Sequence, residues 1–282
     1  MNKKITLIVT AIILIFAGSC GDTEQRQNNT PEDEGLRIVS LTPSITKQLI
    51  LLGVEDDVVG HTSYCPKEKL KNSELVASAT EVNIEKIATL EPDLVLASTL
   101  TKEKVINNLR KLDITVKYLE MPKSFEAICR QMNTIGELTD RADNASAIVK
   151  KQREKLDSLR NTIPKGKKLK FFIEIGADPL FAATSNSFMH DYIRYANGKN
   201  IAADLKTGTI SRERVITENP DVIIIVTMGV VGKEEKETWQ EYPNLKASKN
   251  DNVFVIDADK ASSPTPVSFI EVLGKIIELV YH

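Results

Sequence analysis

The segment IEKIATLEPDLVLAS, starting at Ile84, returns as RERVITENPDVIIIV from Arg212. At this constant offset of 128 residues Glu85/Glu213, Thr89/Thr217, Pro92/Pro220 and Asp93/Asp221 are identical. In each copy apolar residues fall at helical spacing: Ile84, Ile87, Ala88 and Leu90 in the first, Val215 and Ile216 in the second. The prolines then disfavour helix at the residue before them. The runs that follow, Leu94–Ala97 and Val222–Val226, are apolar on both faces, as suits strands buried in a parallel sheet with helices on either side. A chain carrying this helix-to-strand unit twice is constrained to two similar α/β lobes. Arg37–Leu41 and Leu169–Ile175 read as the opening strand of each half, and Thr115–Leu119 and Asn252–Asp257 as the closing one.

Between the halves, Asp140–Asn161 contains neither Gly nor Pro. Ala145, Ile148, Val149, Leu156, Leu159 and Ile163 follow the helical period, and Pro164-Lys165-Gly166 ends the pattern. Such a helix spans roughly 33 Å, long enough to cross the backs of two lobes; the alternative is a cover helix of the first lobe. The predicted organisation is an α/β fold of two Rossmann-like lobes, residues 37–139 and 164–282, joined by one long helix over 140–163. Open sheets of this kind bind ligands beyond the carboxyl ends of their strands, which places a cleft between the lobes.

The amino-terminal stretch stands apart. Asn2-Lys3-Lys4 is basic, Ile5–Phe16 is apolar but too short for an ordinary membrane span, and Ala17-Gly18-Ser19 precede Cys20. This is the layout of a secretory signal over residues 1–19, with small residues before Cys20 as in a bacterial lipobox. The expectation is acylation at Cys20 and anchoring to a membrane through the lipid. Residues 20–36 are polar and read as a flexible tether.

A net charge of −2 provides no basic excess, which argues against a nucleic-acid partner. There is no phosphate loop, no G-x-S-x-G and no HExxH, so nothing nominates a catalytic residue, a resident cofactor or a metal site. Only three histidines occur, too few for a small-ion site of the usual kind. Cys65 and Cys129 are expected as unpaired thiols, although an oxidising compartment permits a disulfide.

Four motifs in register carry a family resemblance: RIVSLTPSITKQLILLGVEDDVVGHTSYCP (Arg37–Pro66), NIEKIATLEPDLVLA, GTISRERVITENPDVIIIV and YPNLKASKNDNVFVID (Tyr242–Asp257). Together they resemble the substrate-binding proteins of ABC importers for cobalamin and ferric chelates, over essentially all of Arg37–His282. The resemblance implies a protein that is not an enzyme, with a large metal-chelate ligand in the cleft and a dimeric ABC permease as partner. It also implies that Glu85 and Glu213 dock onto arginines of that permease; on sequence alone they are equally helix-start carboxylates. Tyr64 and Phe181 match aromatic ligand contacts of the family. Thr42 and Ser44 leave the first strand, either as an anion-facing helix start or as plain capping, and Asp257 and Asp259 follow the last strand. The positions of the cobalamin binders' cleft tryptophans read Ala79, Ser98 and Thr207, while Trp239 suits packing. A siderophore or haem therefore stays open beside cobalamin, with His61, Tyr64, Met189 and His190 as candidate haem ligands. A surface lipoprotein serving an outer-membrane receptor is the alternative role.

Overall fold

Arg37 and Lys170 open the two central strands in the same way. The Arg37 backbone N–H donates to Asp93 Oδ2 at 2.8 Å, and its guanidinium donates to the Leu90 carbonyl at 2.7 Å. In the other half the Lys170 N–H donates to Asp221 Oδ2 at 2.8 Å, and its ammonium donates to the Glu218 carbonyl at 2.7 Å. Thr89 and Thr217 turn their hydroxyls back to the Lys86 and Glu213 carbonyls at 2.9 and 2.8 Å. The repeat is thus a clamp: it ends a short helix, satisfies its last carbonyls and ties the next strand to the start of the lobe's first strand. Of the four shared positions, the Thr, Pro and Asp belong to this clamp, and the glutamate does not.

The computed structural model describes residues 35–78, 81–226 and 231–281. The signal-like stretch with Cys20, most of the tether and Ala79 lie outside the described residues. The first lobe runs β1 (Ile38–Ser40), α1 (Pro43–Leu52), β2 (Val58–Thr62), β3 (Glu74–Ala77), α2 (Ile84–Thr89), β4 (Leu94–Ser98), α3 (Glu103–Lys111), β5 (Val116–Leu119) and α4 (Phe125–Leu138). Its sheet is parallel throughout, in the order β3-β2-β1-β4-β5. After α5 (Ala142–Thr162) come β6 (Leu169–Ala177), β7 (Leu180–Ala182), α6 (Met189–Tyr195), β8 (Gly198–Asn200), α7 (Arg212–Glu218), β9 (Val222–Ile225), α8 (Val231–Gln240), α9 (Lys246–Lys249), β10 (Val253–Val255), α10 (Ala258–Ser262) and α11 (Pro266–Tyr281). The second sheet is ordered β10-β9-β6-β7; β8 pairs in parallel with the first part of β6, and β7 folds back antiparallel on its last part.

Two boundaries differ from the sequence expectation. β10 stops at Val255 because Asp257 turns its carboxylate into the start of α10, accepting from the Asp259 and Lys260 N–H groups at 2.9 and 3.2 Å. α5 begins at Ala142 because Asp140 adopts a left-handed backbone (φ 53°) that breaks the chain between α4 and α5. The two helices approach so closely there that a Cβ on Gly136 would collide with the Ala145 side chain.

At 21 residues α5 is about 31 Å long. Ala145, Val149, Gln152 and Leu156 form its buried face, against α4 on one side and α11 on the other. The core over which it lies is shared: Ile38 and Leu96 of the first sheet, Phe171, Ile173 and Ile224 of the second, and Phe269 and Ile276 of α11 belong to one cluster. Phe269 joins the halves directly, with its ring centroid 4.8 Å from Phe125 of α4 and 4.5 Å, stacked, from Tyr192 of α6. Asp191 of α6 accepts the Phe125 N–H at 2.8 Å. Accordingly Gly35–His282 forms one compact unit. Smaller clusters cover the outer faces, Val39 with Val95 and Ile106 in the first lobe and Phe172 with Ile223 and Trp239 in the second.

Candidate ligand-binding site

The carboxyl ends of β1, β2 and β4 are fixed by buried hydroxyls. Thr46 donates to Ser40 Oγ at 2.8 Å and lies 3.0 Å from Cys65 Sγ, and Thr42 donates to Ser98 Oγ at 2.8 Å. Thr42 occupies the cap position of α1, but its hydroxyl is spent on Ser98 and makes no capping bond. Ser44 lies buried one residue inside the helix, its Oγ without a hydrogen-bond partner among the described residues. Neither is a simple N-cap.

Above this layer is a recess of about 550 Å³, walled by Leu41, Pro43, Tyr64, Leu100 and Val105 with Lys102 and Glu81 at its rim. Tyr64 is 55% exposed and Leu100 68%. Large apolar side chains gathered bare at the carboxyl edge of a sheet are what a ligand covers. Tyr64, nominated from the sequence, lines this recess, as does Leu41 from the nominated stretch after the first strand; Leu100, Lys102 and Val105 were not nominated. Their signal is positional: Leu100 and Lys102 lie just beyond the end of β4 at Ser98, and Val105 lies in the helix that follows.

Phe181 stands in β7 at the carboxyl end of the second sheet, 39% exposed. Its ring lies over Gly208, where any Cβ would collide with it. It does not line the first-lobe recess. Asp257 is the α10 cap just described, and Asp259 is held by Lys47 of α1, whose ammonium lies 2.7 Å from Oδ2 and donates to the backbone carbonyl at 3.1 Å. That contact ties α10 of the second lobe to the first helix of the first.

Most of the candidate haem ligands are turned inward. His61 is buried with Nδ1 2.8 Å from Ser73 Oγ; burial, then Lys67 and Lys86, hold its pKa below the usual value. Met189 is buried, and His190 is partly buried beside Asn200. Tyr64 alone is open. Among the described residues no group of three or more His, Cys, Asp or Glu is placed to hold a metal ion. Cys65 and Cys129 are buried and unpaired, and burial, with Glu126 next, pushes the Cys129 thiol up to about 12.

Glu85 and Glu213 take equivalent places, the second residue of α2 and of α7, both exposed. Asn83 caps α2 by accepting the Lys86 N–H at 2.9 Å, and Ser211 caps α7 by accepting the Arg214 N–H at 3.2 Å. The Glu213 carboxyl is held below its usual pKa by its own backbone N–H first and the Ser211 hydroxyl second.

Known proteins resemble this arrangement along most of its length. An uncharacterized ABC transporter substrate-binding lipoprotein of Bacillus subtilis, YvrC, is 33% identical over 273 residues, covering 92% of this chain and 84% of the relative. A vitamin B12-binding protein of Yersinia pseudotuberculosis is 28% identical over 199 residues, 69% of this chain and 71% of its own. The crystal structure of a possible iron-binding (periplasmic solute-binding) protein from Staphylococcus epidermidis superposes with a TM-score of 0.77 at 29% identity, covering 87% of this chain and 98% of that one. The profile of the family described as periplasmic binding protein matches residues 38–260. With its paired lobes, its long connecting helix and that match, the chain belongs to the periplasmic binding protein family of ABC-transporter substrate-binding proteins.

Proposed function

We propose that the protein captures a cobalamin-type corrinoid or a ferric chelate and delivers it to an ABC permease while anchored to a membrane through lipid on Cys20. The observation that carries the reading is the apolar recess at the carboxyl edge of the first sheet, with Tyr64 and Leu100 bare, and Phe181 exposed at the corresponding edge of the second. Flat side chains of this kind present area to a planar ligand at little entropic cost. The relatives named for vitamin B12 and iron favour the same ligand class. Thr42, Ser44, Asp257 and Asp259 do not line this recess; Thr42 holds Ser98 beneath it, and Asp259 joins the lobes through Lys47. No helix of the described residues is long and apolar enough to cross a membrane.

In the same reading Glu85 and Glu213 are the permease contacts. The clamp accounts for the other three repeated positions, which leaves the exposed glutamate of each lobe available to an external partner.

Titration of the purified protein with cobalamin, haem and ferric siderophores, followed by absorbance and melting temperature, is the test. A true ligand at a hundred times its Kd stabilises by about 2.7 kcal/mol. If none of the three classes shifts either signal, the ligand assignment fails. For docking, Glu85→Lys and Glu213→Lys are expected to weaken binding to the reconstituted permease without changing ligand affinity. Unimpaired docking in the double variant would reject that role. Cys20→Ala is expected to release the protein from membranes, and retention after a salt wash would reject the anchor.

A further inference from the structure

Glu174 is a carboxylate where the chain otherwise places hydrocarbon. It lies in β6, wholly buried, between Ala182 of β7 and Ile225 of β9. Its Oε2 accepts the indole N–H of Trp239 at 2.7 Å, and its Oε1 has no donor partner among the described residues. The charged groups that bear on it are Glu235 of α8 and Arg212, the first residue of α7. Arg212 in turn pairs with Glu235 at 2.9 Å and lies over the Trp239 ring, 4.4 Å from its centroid. One guanidinium thus faces two carboxyl groups in a site closed by aromatic rings. Two ionised carboxylates against one cation would leave a buried charge uncompensated, at a cost the surroundings do not repay.

We propose that Glu174 keeps its proton in the folded protein, and that this protonated carboxyl, through Trp239 and the Arg212–Glu235 pair, is the brace fixing α7 to the body of the second lobe. α7 carries Glu213, the residue next to Arg212, so the brace also controls how firmly the proposed docking glutamate is presented; that last consequence rests on the docking reading above. The chain of contacts runs from β6 through α8 to the first turn of α7 without a break. Burial first, and then the neighbouring Glu235, push Glu174 up to about 7, with the Trp239 and Arg212 interactions opposing. The folded state therefore keeps a proton that an ordinary glutamic acid gives up near 4.5. The stability it confers is lost as pH rises from about 4.5 to about 7, and the brace loosens over the upper part of that window.

Trp239 is the only tryptophan in the chain and touches Glu174 directly, so its fluorescence reports the proton. Emission of the intact protein is expected to titrate with a midpoint near 7. Glu174→Gln, which keeps an acceptor for the indole but cannot ionise, is expected to abolish that transition. Glu235→Gln is expected to move the midpoint to lower pH, and it serves if the first variant does not fold. Amide protection across α7, with the base-catalysed rise of the intrinsic exchange rate divided out, should fall about tenfold on passing to mildly alkaline pH, each unit beyond the midpoint being a factor of ten in the ratio of deprotonated to protonated carboxyl. A flat wild-type emission profile, or an unchanged transition in both variants, overturns the buried proton on Glu174. A normal transition with pH-independent protection in α7 overturns the brace. None of these readouts involves the permease, so loss of the docking reading would leave them standing.

Discussion

At the scale of single residues, Phe181 and Gly208 form a pair in which the glycine matters through what it lacks. The ring occupies the space a Cβ would take, so Gly208→Ala must displace it. We expect Phe181→Ala and Tyr64→Ala each to weaken a planar ligand by about 1–3 kcal/mol, measured by titration, with little change in melting temperature for the exposed Tyr64. Gly208→Ala should weaken it through the same ring, and adding it to Phe181→Ala should cost little more, as residues in contact do not add. Full additivity would show that Gly208 acts elsewhere. Cys129 is expected to resist thiol reagents until the protein unfolds, because burial disfavours its thiolate; rapid labelling of the native protein would contradict its buried place. The exposed place of Tyr64 beyond β2 was legible from the sequence, because it follows a recognisable strand. The roles of Asp257 and Asp259 were not, since a loop acid looks the same whether it caps a helix, pairs with Lys47 or waits for ligand.

At the scale of elements, the repeated clamp makes a paired prediction. Asp93→Ala and Asp221→Ala each remove an acceptor from the N–H that opens a central strand. Each is expected to cost about 1–2 kcal/mol, less at the exposed Asp93 than at the partly buried Asp221. Because the two lie in different lobes, the double variant should lose the sum, read from denaturant midpoints. A double variant no worse than one single would mean that the clamps are coupled. The helix-then-strand order of both copies was readable from periodicity and proline, and so was the long helix between them. The exact ends were not, because they depend on a left-handed Asp140 and a capping Asp257 rather than on hydrophobic pattern. The place of α11 was also hidden. An apolar face on a helix announces that it will be buried but not against which partner, and α11 packs on α5 and α4 as well as on α6 and α10 of its own lobe.

At the scale of the whole molecule, the shared core and the Phe125–Phe269–Tyr192 contacts leave no slack hinge between the lobes. Small-angle scattering with and without ligand should show nearly the same envelope; a large compaction would contradict a rigid connection. Phe269→Ala is expected to cost about 3–5 kcal/mol and to lower the melting of both lobes together, in one transition. Two separate transitions would mean that the lobes do not depend on the common core. The position of α11 has a further consequence, for the order of events in the life of the chain. Its 16 residues are synthesised after both sheets, yet they supply Phe269, Leu273 and Ile276 to the interior that both sheets share. A nascent chain that has not yet made them has an open seam down its middle and cannot close either half tightly. Completion of folding thereby waits for α11, and the two sheets made before it stay loosely joined until it arrives.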